Sequence, residues 1–244
     1  MLKSVKPKDI DVLILCGGRG QRLRRVVNDR PKPMADFGGR PFLSMLVEYA
    51  ASFGFRRFIL CTGYLSAVIE EYYKKKTKGL EVIVCREKEP LGTGGAVKGA
   101  RRLIHSSPFL VLNGDSFTPI DLLKFLKFHL SKKALVSLVL AKNRMRRDSG
   151  KVRLDANQRV VNFKEKKASG RNTFDNAGMY FMDRAIFSTM KGKKRFSVEY
   201  DLFPKLAKKD FFGFRQRGRL IDFGTPRAYK EAGRIFAKGT LLIK

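Results

Sequence analysis

Histidine and cysteine are scarce in this sequence, with two of the former and three of the latter among 244 residues. His105 and His129 show no metal-ligand spacing, so we expect neither a zinc site nor a histidine-based catalytic triad. Cys16, Cys61 and Cys85 form no Cys-x-x-Cys pair, and each lies in an apolar run. We therefore predict that they are reduced core residues, which indicates a reducing compartment.

Long hydrophobic runs are also missing. No stretch of the sequence approaches the ~18 apolar residues that a membrane span requires. The apolar stretch Val12–Cys16 follows basic residues, but it is too short for a signal-peptide core, and Gly17-Gly18 ends it without a cleavage pattern. We therefore expect a soluble, cytoplasmic protein without membrane insertion.

Acidic residues are few. The sequence has 22 aspartates and glutamates but 52 lysines and arginines, which gives a formal net charge of +30. Three explanations stay open: the cations attract a polyanionic substrate, they bind nucleic acid, or they solvate the surface. The basic clusters are spread along the chain, whereas a dedicated nucleic-acid arm is more often one block. We recognise no nucleic-acid-binding module and expect no nucleic-acid partner.

The first 141 residues alternate short apolar runs with segments of helical period. Strands are expected at Val12–Cys16, Phe58–Thr62, Leu80–Cys85, Phe109–Asn113 and Leu135–Ala141. Helices are expected between them at Pro41–Phe53, Ser66–Lys75, Thr93–Ile104 and Asp121–Ser131. This alternation predicts an α/β fold of Rossmann-like type, in which helices cover both faces of a mixed, mainly parallel sheet in three layers.

The pattern changes after about residue 141. Lys151–Asp155 and Arg159–Lys164 flank an Ala-Asn-Gln turn, which predicts a hairpin, and a strand is expected at Ala177–Met182. Helices are expected at Val198–Lys208 and Pro226–Ala237. Because we find no linker or repeat, we predict one domain with two lobes.

A glycine-rich segment follows the first expected strand and reads Leu15-Cys16-Gly17-Gly18-Arg19-Gly20-Gln21-Arg22-Leu23. Glycines at a strand-to-helix turn let backbone N–H groups approach phosphate oxygens, and a helix N-terminus adds partial positive charge. An ordinary tight turn is the alternative. The dinucleotide fingerprint fails because Leu23 replaces its third glycine, and the Gly-Lys-Ser/Thr ending of a Walker motif is absent.

Two basic residues continue this segment. Arg22 is followed by Arg30-Pro31-Lys32-Pro33-Met34, and the flanking prolines should restrict the backbone and hold Lys32 extended. A lysine on so stiff a segment is well suited to delivering a fixed charge, although a purely structural connection is the alternative.

Four further motifs follow in order along the chain. They are Glu89-Pro90-Leu91-Gly92-Thr93-Gly94-Gly95-Ala96; Asn113-Gly114-Asp115; Phe163-Lys164-Glu165-Lys166 with Asn176-Ala177-Gly178-Met179-Tyr180; and Ile221-Asp222-Phe223-Gly224-Thr225-Pro226. Together with Leu15–Met34, they resemble the sugar-1-phosphate nucleotidyltransferases over nearly the whole chain. The likeness is greatest to D-glycero-D-manno-heptose 1-phosphate guanylyltransferases, then to mannose-1-phosphate guanylyltransferases. Cys16, Gln21 and Lys167 depart from the residues that are commoner in this family.

The resemblance implies a nucleotide-diphospho-sugar transferase fold in one domain, residues 1–244. A nucleotide-binding lobe would span about 1–141, and a small sugar-phosphate-binding lobe about 142–244. The implied catalytic residues are Arg22, Lys32 and Asp115. The implied nucleotide-binding residues are Leu15, Gly17, Gly18, Gly20, Gln21, Arg22, Lys32, Pro90, Gly92, Thr93 and Asn113. The implied sugar-phosphate-binding residues are Gly150, Glu165, Lys166 and Asn176, and Mg²⁺ would be held by Asp115 and Asp222.

The implied reaction transfers GMP from GTP to a sugar 1-phosphate and releases pyrophosphate, for cell-surface polysaccharide synthesis. A phosphate monoester has its second pKa at about 6, so the nucleophile is already anionic and needs no general base. A nucleotide-sugar glycosyltransferase is one rival, although glycosyl transfer needs no cationic clamp for pyrophosphate. A non-catalytic nucleic-acid-binding protein is the other. Base, sugar and any homo-oligomeric state are not fixed by the sequence.

Overall fold

The first half of the chain alternates strands and helices, as its apolar pattern predicts. The computed structural model describes residues 5–18, 20–74, 77, 79–141, 150–165, 173–216 and 218–237. Strands β1 to β6 span Asp11–Leu15, Arg57–Thr62, Glu81–Arg86, Phe109–Asn113, Ser116–Phe117 and Val136–Ala141. Helices α1 to α4 span Phe42–Ser52, Ser66–Lys74, Gly92–Gly99 and Leu122–Ser131. The expected elements are therefore confirmed to within a few residues, except that α3 ends early and continues as a short 3-10 turn.

The second half adds the remaining strands and two helices. Strands β7 to β11 span Gly150–Leu154, Val160–Glu165, Thr173–Met182, Phe211–Gln216 and Ile221–Asp222, and helices α5 and α6 span Phe203–Leu206 and Pro226–Ala237. The single helix expected at Val198–Lys208 is wrong. A π-helix at Val198–Leu202 leads into the short α5, because Pro204 has no N–H to donate and Ala207 leaves the helical conformation.

Nine of the described strands form a mixed, mainly parallel sheet whose main path has the order β10-β6-β9-β4-β1-β2-β3, while β5 and β11 form a separate two-stranded sheet. Neighbours along this order run parallel, except that β9 is antiparallel to both β4 and β6. The β7–β8 hairpin, confirmed as expected, attaches to β9. The predicted fold class is confirmed, while the division near residue 141 into two lobes stays a prediction.

Helices cover both faces of this sheet, because successive side chains of each strand point to opposite sides. In β1, Val12 and Ile14 are fully buried in an apolar layer with α1, α2, α4 and α6. Leu13 is equally buried in the opposite layer, which contains α3 and α5. This two-sided burial explains why β1 reads as a continuous apolar run in the sequence.

The strand register brings two of the motifs together at one edge of the sheet. Leu15 at the end of β1 pairs with Asn113 at the end of β4, and the Gly114 N–H donates to the Leu15 carbonyl oxygen over 3.0 Å. A Cβ on Gly114 would lie only 2.6 Å from that oxygen, so a larger residue would force the strand ends apart. Ligands of open α/β sheets bind at this edge, outside the carboxyl ends of parallel strands.

Candidate functional site

A cleft of about 740 Å³ opens at the carboxyl ends of β1 and β4. Its lining contains every residue that the resemblance assigned to the nucleotide, and Asp115 as well. The assigned residues in the lining are Leu15, Gly17, Gly18, Gly20, Gln21, Arg22, Lys32, Pro90, Gly92, Thr93 and Asn113. Residues up to 209 positions apart in the sequence thus line one cavity (Leu15 to Gly224).

The glycine-rich segment does not lead into a helix, so the expected strand-to-helix turn is wrong. Residues 21–26 form successive turns, with hydrogen bonds from the Leu23 N–H to the Gly20 carbonyl and from the Val27 N–H to the Leu23 carbonyl. Leu23 is buried, but its neighbours Arg24 and Arg25 are exposed, and one apolar anchor is not enough for an amphipathic helix. Positive charge in this segment therefore comes from side chains rather than a helix N-terminus.

Lys32 lies at the floor of the cleft and is nearly buried, with 11% of its side chain exposed. Its Nζ donates to Asp115 Oδ2 over 2.8 Å. The expected extended backbone is wrong at Lys32 itself, which begins a 3-10 turn at Lys32–Met34. Hydrogen bonds from the Met34 and Ala35 N–H groups to Pro31 and Lys32 stabilise this turn against the preference set by Pro33.

Three charged side chains converge at Gly224, and a fourth, Asp115, contacts Lys32. Asp222, which pairs with Ser116 across β11 and β5, accepts a hydrogen bond from the Gly224 N–H over 2.8 Å. A Cβ on Gly224 would lie 3.1 Å from Asp222 Oδ1, 3.2 Å from Lys32 Nζ and 3.5 Å from Arg22 Nη2. Two cations and the carboxylates of Asp115 and Asp222 therefore share one small region of the cleft.

The Gly92–Ala96 segment contacts protein as well as the cleft. Gly92 has φ +73°, which suits glycine, and a Cβ there would lie 2.6 Å from the Phe196 carbonyl oxygen. That oxygen also accepts hydrogen bonds from the Gly94 and Gly95 N–H groups over 3.0 and 3.2 Å. These two glycines thus hold the segment around Phe196, and their N–H groups are used inside the protein.

Of the residues assigned to the sugar phosphate, Asn176 has a described environment. Its Nδ2 donates to the Tyr180 hydroxyl over 2.8 Å, and its Oδ1 accepts from the Gly178 N–H over 3.1 Å. Asn176 does not line the 740 Å³ cleft. Gly150 and Glu165 are paired residues of β7 and β8, whereas Lys166 lies outside the described residues.

Two residues of the cleft were missed by the sequence analysis, namely Glu87 and Arg195. Glu87 directly follows β3, and its carboxylate would lie 3.2 Å from a Cβ on Gly17. Burial raises the pKa of the Glu87 carboxyl, against a weak hydrogen bond from the Leu91 N–H that lowers it. An acidic residue after a parallel strand was the available signal for Glu87, whereas Arg195 belongs to no recognisable motif.

The two aspartates fit a hard cation that also binds substrate oxygens. Among the described residues, no group of three or more His, Cys, Asp or Glu side chains could enclose a metal ion. Mg²⁺ instead takes one or two carboxylates and completes its octahedral shell with phosphate oxygens and water. Asp115 has 43% of its side chain exposed to the cleft. Asp222 pairs across the β5–β11 ladder with Ser116, the residue that follows Asp115 in the sequence.

A glycine-rich, cationic cleft at the carboxyl ends of parallel strands is typical of a nucleotide-binding protein. The family model of nucleotidyl transferases matches residues 11–239. The chain therefore belongs to the nucleotidyl transferase family and is an enzyme of that class. The resemblance seen in its motifs is confirmed.

Relatives of this chain align with it over almost its full length. It is 37% identical to the D-glycero-alpha-D-manno-heptose 1-phosphate guanylyltransferase of Aneurinibacillus thermoaerophilus, over 91% of this chain and 96% of that protein. It is 34% identical to the mannose-1-phosphate guanylyltransferase of Mycobacterium tuberculosis, over 94% of this chain and 65% of that protein. The crystal structure of HddC from Yersinia pseudotuberculosis complexed with GMP-PN has a TM-score of 0.79, with 34% identity over 93% of this chain and 99% of that one.

None of the helices in the described part of the chain is long and apolar enough to cross a membrane.

Proposed function

We propose that this enzyme transfers GMP from GTP to D-glycero-D-manno-heptose 1-phosphate, forming a nucleotide-diphospho-sugar and pyrophosphate for cell-surface polysaccharide synthesis. The observation that carries the proposal is the single cleft that unites the glycine-rich segment with Arg22, Lys32 and Asp115. The chemistry named for the heptose 1-phosphate guanylyltransferase relative supports the choice of substrates. The match to a nucleotidyl transferase model leaves no support for a glycosyltransferase.

The reaction is an in-line attack by the sugar phosphate on the α-phosphorus of GTP. The protein must hold two anions together against their repulsion and stabilise the charge that develops on the leaving pyrophosphate. Lys32 and Arg22 serve the triphosphate, since both cations converge beside Gly224. Gly17, Gly18 and Gly20 allow the backbone to approach the phosphates closely.

Asp115 and Asp222 hold the Mg²⁺ that this reaction requires. When bound, the ion neutralises phosphate charge and orients the reacting oxygens. Lys32 already neutralises Asp115 through their 2.8 Å ion pair, so the same carboxylate serves a protein cation and the metal. On the sugar side, Lys166 holds the phosphate, while Glu165, Asn176 and the backbone at Gly150 contact the sugar.

A pyrophosphate-release assay tests the proposed reaction. Purified enzyme with Mg²⁺ should be assayed with each of four nucleoside triphosphates against a panel of sugar 1-phosphates. GTP with the heptose 1-phosphate is expected to give the highest kcat/KM, with a nucleotide sugar formed in equal amount to pyrophosphate. If no pair of substrates yields a nucleotide sugar, the proposed function is wrong.

Mannose 1-phosphate is the second candidate acceptor. The mannose-1-phosphate guanylyltransferase of Mycobacterium tuberculosis is 34% identical over 94% of this chain, although the chain spans only 65% of that protein. In the assay, a higher kcat/KM with mannose 1-phosphate than with the heptose 1-phosphate would show that mannose 1-phosphate is the preferred acceptor.

Glu87 supports guanine as the base. A carboxylate can only accept hydrogen bonds, and guanine presents two adjacent N–H donors, N1–H and the N2 amino group, on one edge. The half-buried Glu87 carboxylate lies against Gly17, at the end of β1 in the same cleft as the glycine-rich segment. No other acidic residue except Asp115 lines the described cleft, and Asp115 lies beside Lys32. Glu87 is therefore the candidate acceptor for the guanine edge.

Glu87→Gln is expected to lower kcat/KM for GTP by roughly ten- to a hundredfold, because one hydrogen bond to a charged group contributes about 1.5–3 kcal/mol. The effect on ITP, which lacks the N2 amino group, should be smaller. Glu89→Gln is a matched control, since Glu89 lies two residues along and forms an exposed ion pair with Lys194. Steady-state kinetics with GTP, ITP and ATP measure the change. An unaltered GTP-to-ATP preference in Glu87→Gln would rule out this role.

A further inference from the structure

Glu199 is a buried carboxylate that accepts three hydrogen bonds at the first turn of the π-helix Val198–Leu202. Its side chain is inside the protein, with a residue exposure of 9%. The hydroxyl groups of Thr93 and Ser197 donate to Oε2 over 2.6 and 2.7 Å, and the Tyr180 hydroxyl donates to Oε1 over 3.3 Å. Within the described ranges no lysine or arginine pairs with Glu199, so neutral donors alone stabilise its charge.

The charge of Glu199 fixes the direction of the hydrogen bonds that lead away from it. Because a carboxylate cannot donate, Tyr180 must donate its hydroxyl proton to Glu199, and the Tyr180 oxygen is left to accept. The Asn176 Nδ2 donates to that oxygen over 2.8 Å, and Oδ1 of the same amide accepts from the Gly178 N–H. The Asn176 amide is therefore held from both sides, by the Gly178 N–H at Oδ1 and, at Nδ2, by the Tyr180 hydroxyl that Glu199 orients.

A second set of hydrogen bonds leads from Glu199 through Thr93 to the cleft, and each of the two sets is called a branch below. The Thr93 hydroxyl donates its proton to Glu199 and accepts from the Val198 N–H over 2.9 Å, so its only proton is used inside the protein. Thr93 lines the 740 Å³ cleft at the start of α3. One carboxylate thus joins a cleft residue in α3 to Asn176 in β9.

We propose that Glu199 is a positioning residue that holds the nucleotide side of the site, at Thr93, and the sugar side, at Asn176, in one hydrogen-bonded frame. The proposal rests on the proposed function, which assigns these two residues to different substrates. In-line attack needs both substrates in fixed relative positions, and small misplacements of reacting groups cost large factors in rate. Because Thr93 and Tyr180 share Glu199 as their acceptor, one side chain fixes the positions of the nucleotide side and the sugar side relative to each other. Glu199 is not among the residues that line the 740 Å³ cleft, so it would act through the residues that it holds.

Three substitutions separate the branches of this frame. Tyr180→Phe cuts the branch to Asn176 and should raise the KM for sugar 1-phosphate about tenfold or more, with the Kd of a non-hydrolysable GTP analogue unchanged. Thr93→Val cuts the other branch and should weaken analogue binding by a similar factor, with the KM for sugar 1-phosphate nearly unchanged. Glu199→Gln should impair both, and should also lower kcat by roughly ten- to a hundredfold.

Two further variants control for stability and chemistry. Asp201→Asn alters a partly exposed carboxylate of the same turn, which accepts from the Ser197 N–H and Lys193 but contacts neither Thr93 nor Tyr180 in the described structure, so it should keep both parameters. Thr93→Ser restores the hydroxyl and should restore analogue binding. Melting temperatures of all variants separate loss of stability from loss of positioning.

Several outcomes would overturn the proposal. One is that Glu199→Gln keeps the wild-type KM, Kd and kcat. Another is that Tyr180→Phe and Thr93→Val each change the KM for sugar 1-phosphate and the Kd of the GTP analogue by equal factors. A fall in melting temperature with unchanged kinetics would assign Glu199 a structural role only. If the wild-type enzyme turns over no substrate pair, the proposed function fails. The calorimetric Kd of the GTP analogue then still tests the role of Glu199. Only Thr93→Val and Glu199→Gln should then weaken binding of the analogue, and an equal weakening in Tyr180→Phe contradicts the frame.

Discussion

Asp115→Asn is expected to lower kcat by about a hundred- to a thousandfold, the range seen when a group that stabilises transition-state charge is removed. The substitution keeps the size of the side chain but removes the charge that Lys32 contacts at 2.8 Å and that a Mg²⁺ ion would share. Because the amide is a poorer ligand, the Mg²⁺ concentration for half-maximal rate should also rise. Pyrophosphate release at saturating substrates, titrated with Mg²⁺, measures both effects.

Asp121→Asn provides the matched control for this experiment. Asp121 caps the N-terminus of α4 by accepting from the Leu123 and Lys124 N–H groups, and asparagine caps helices about as well as aspartate. The control therefore makes the same chemical change outside the cleft and should keep full activity and melting temperature. Full activity in Asp115→Asn, or its persistence in excess EDTA, would remove Asp115 from the metal site.

The parallel part of the fold was predictable because burial on both faces leaves a simple trace in the sequence. A strand such as β4, with Phe109 to Leu112 fully or almost fully buried, can be read as one apolar run between helical segments. β5 and β11 have two residues each, too few to show any period. β10 was missed because Gly213 interrupts its aromatic residues, where a Cβ would lie 2.5 Å from Leu140. Such close packing depends on a partner distant in the sequence.

The site followed the same rule. Residues of the glycine- and proline-rich motifs line one cleft, since those motifs mark tight backbone at strand ends. The direction of the Thr93 hydroxyl was not predictable, because its partner Glu199 lies 106 residues further along. Arg195 reaches the cleft through a connecting segment with no regular pattern. Tertiary partners, rather than local chemistry, decide such orientations.

Lys32→Met is expected to lower kcat by roughly a hundredfold and to raise the KM for GTP, since charge on the leaving pyrophosphate grows in the transition state. Methionine keeps most of the apolar stem while it removes the ammonium group, whose Nζ lies 5.2 Å from the centroid of the Phe223 ring. The 43% exposure of Asp115 lets water solvate the carboxylate that loses its partner, so the fold should persist. Both KM values, kcat and the melting temperature should be measured.

The comparison that makes this test specific is Lys166→Met, which removes the same charge from the residue proposed to hold the sugar phosphate. A charge-assisted contact to phosphate contributes about 1.5–3 kcal/mol, so this variant should raise the KM for sugar 1-phosphate about tenfold or more and leave GTP binding nearly unchanged. Lys124→Met, at an exposed position of α4, controls for the change in net charge. Equal losses in the same parameters for Lys32→Met and Lys166→Met would contradict the division of labour between the two lysines. Unchanged kinetics in both would remove both from the site.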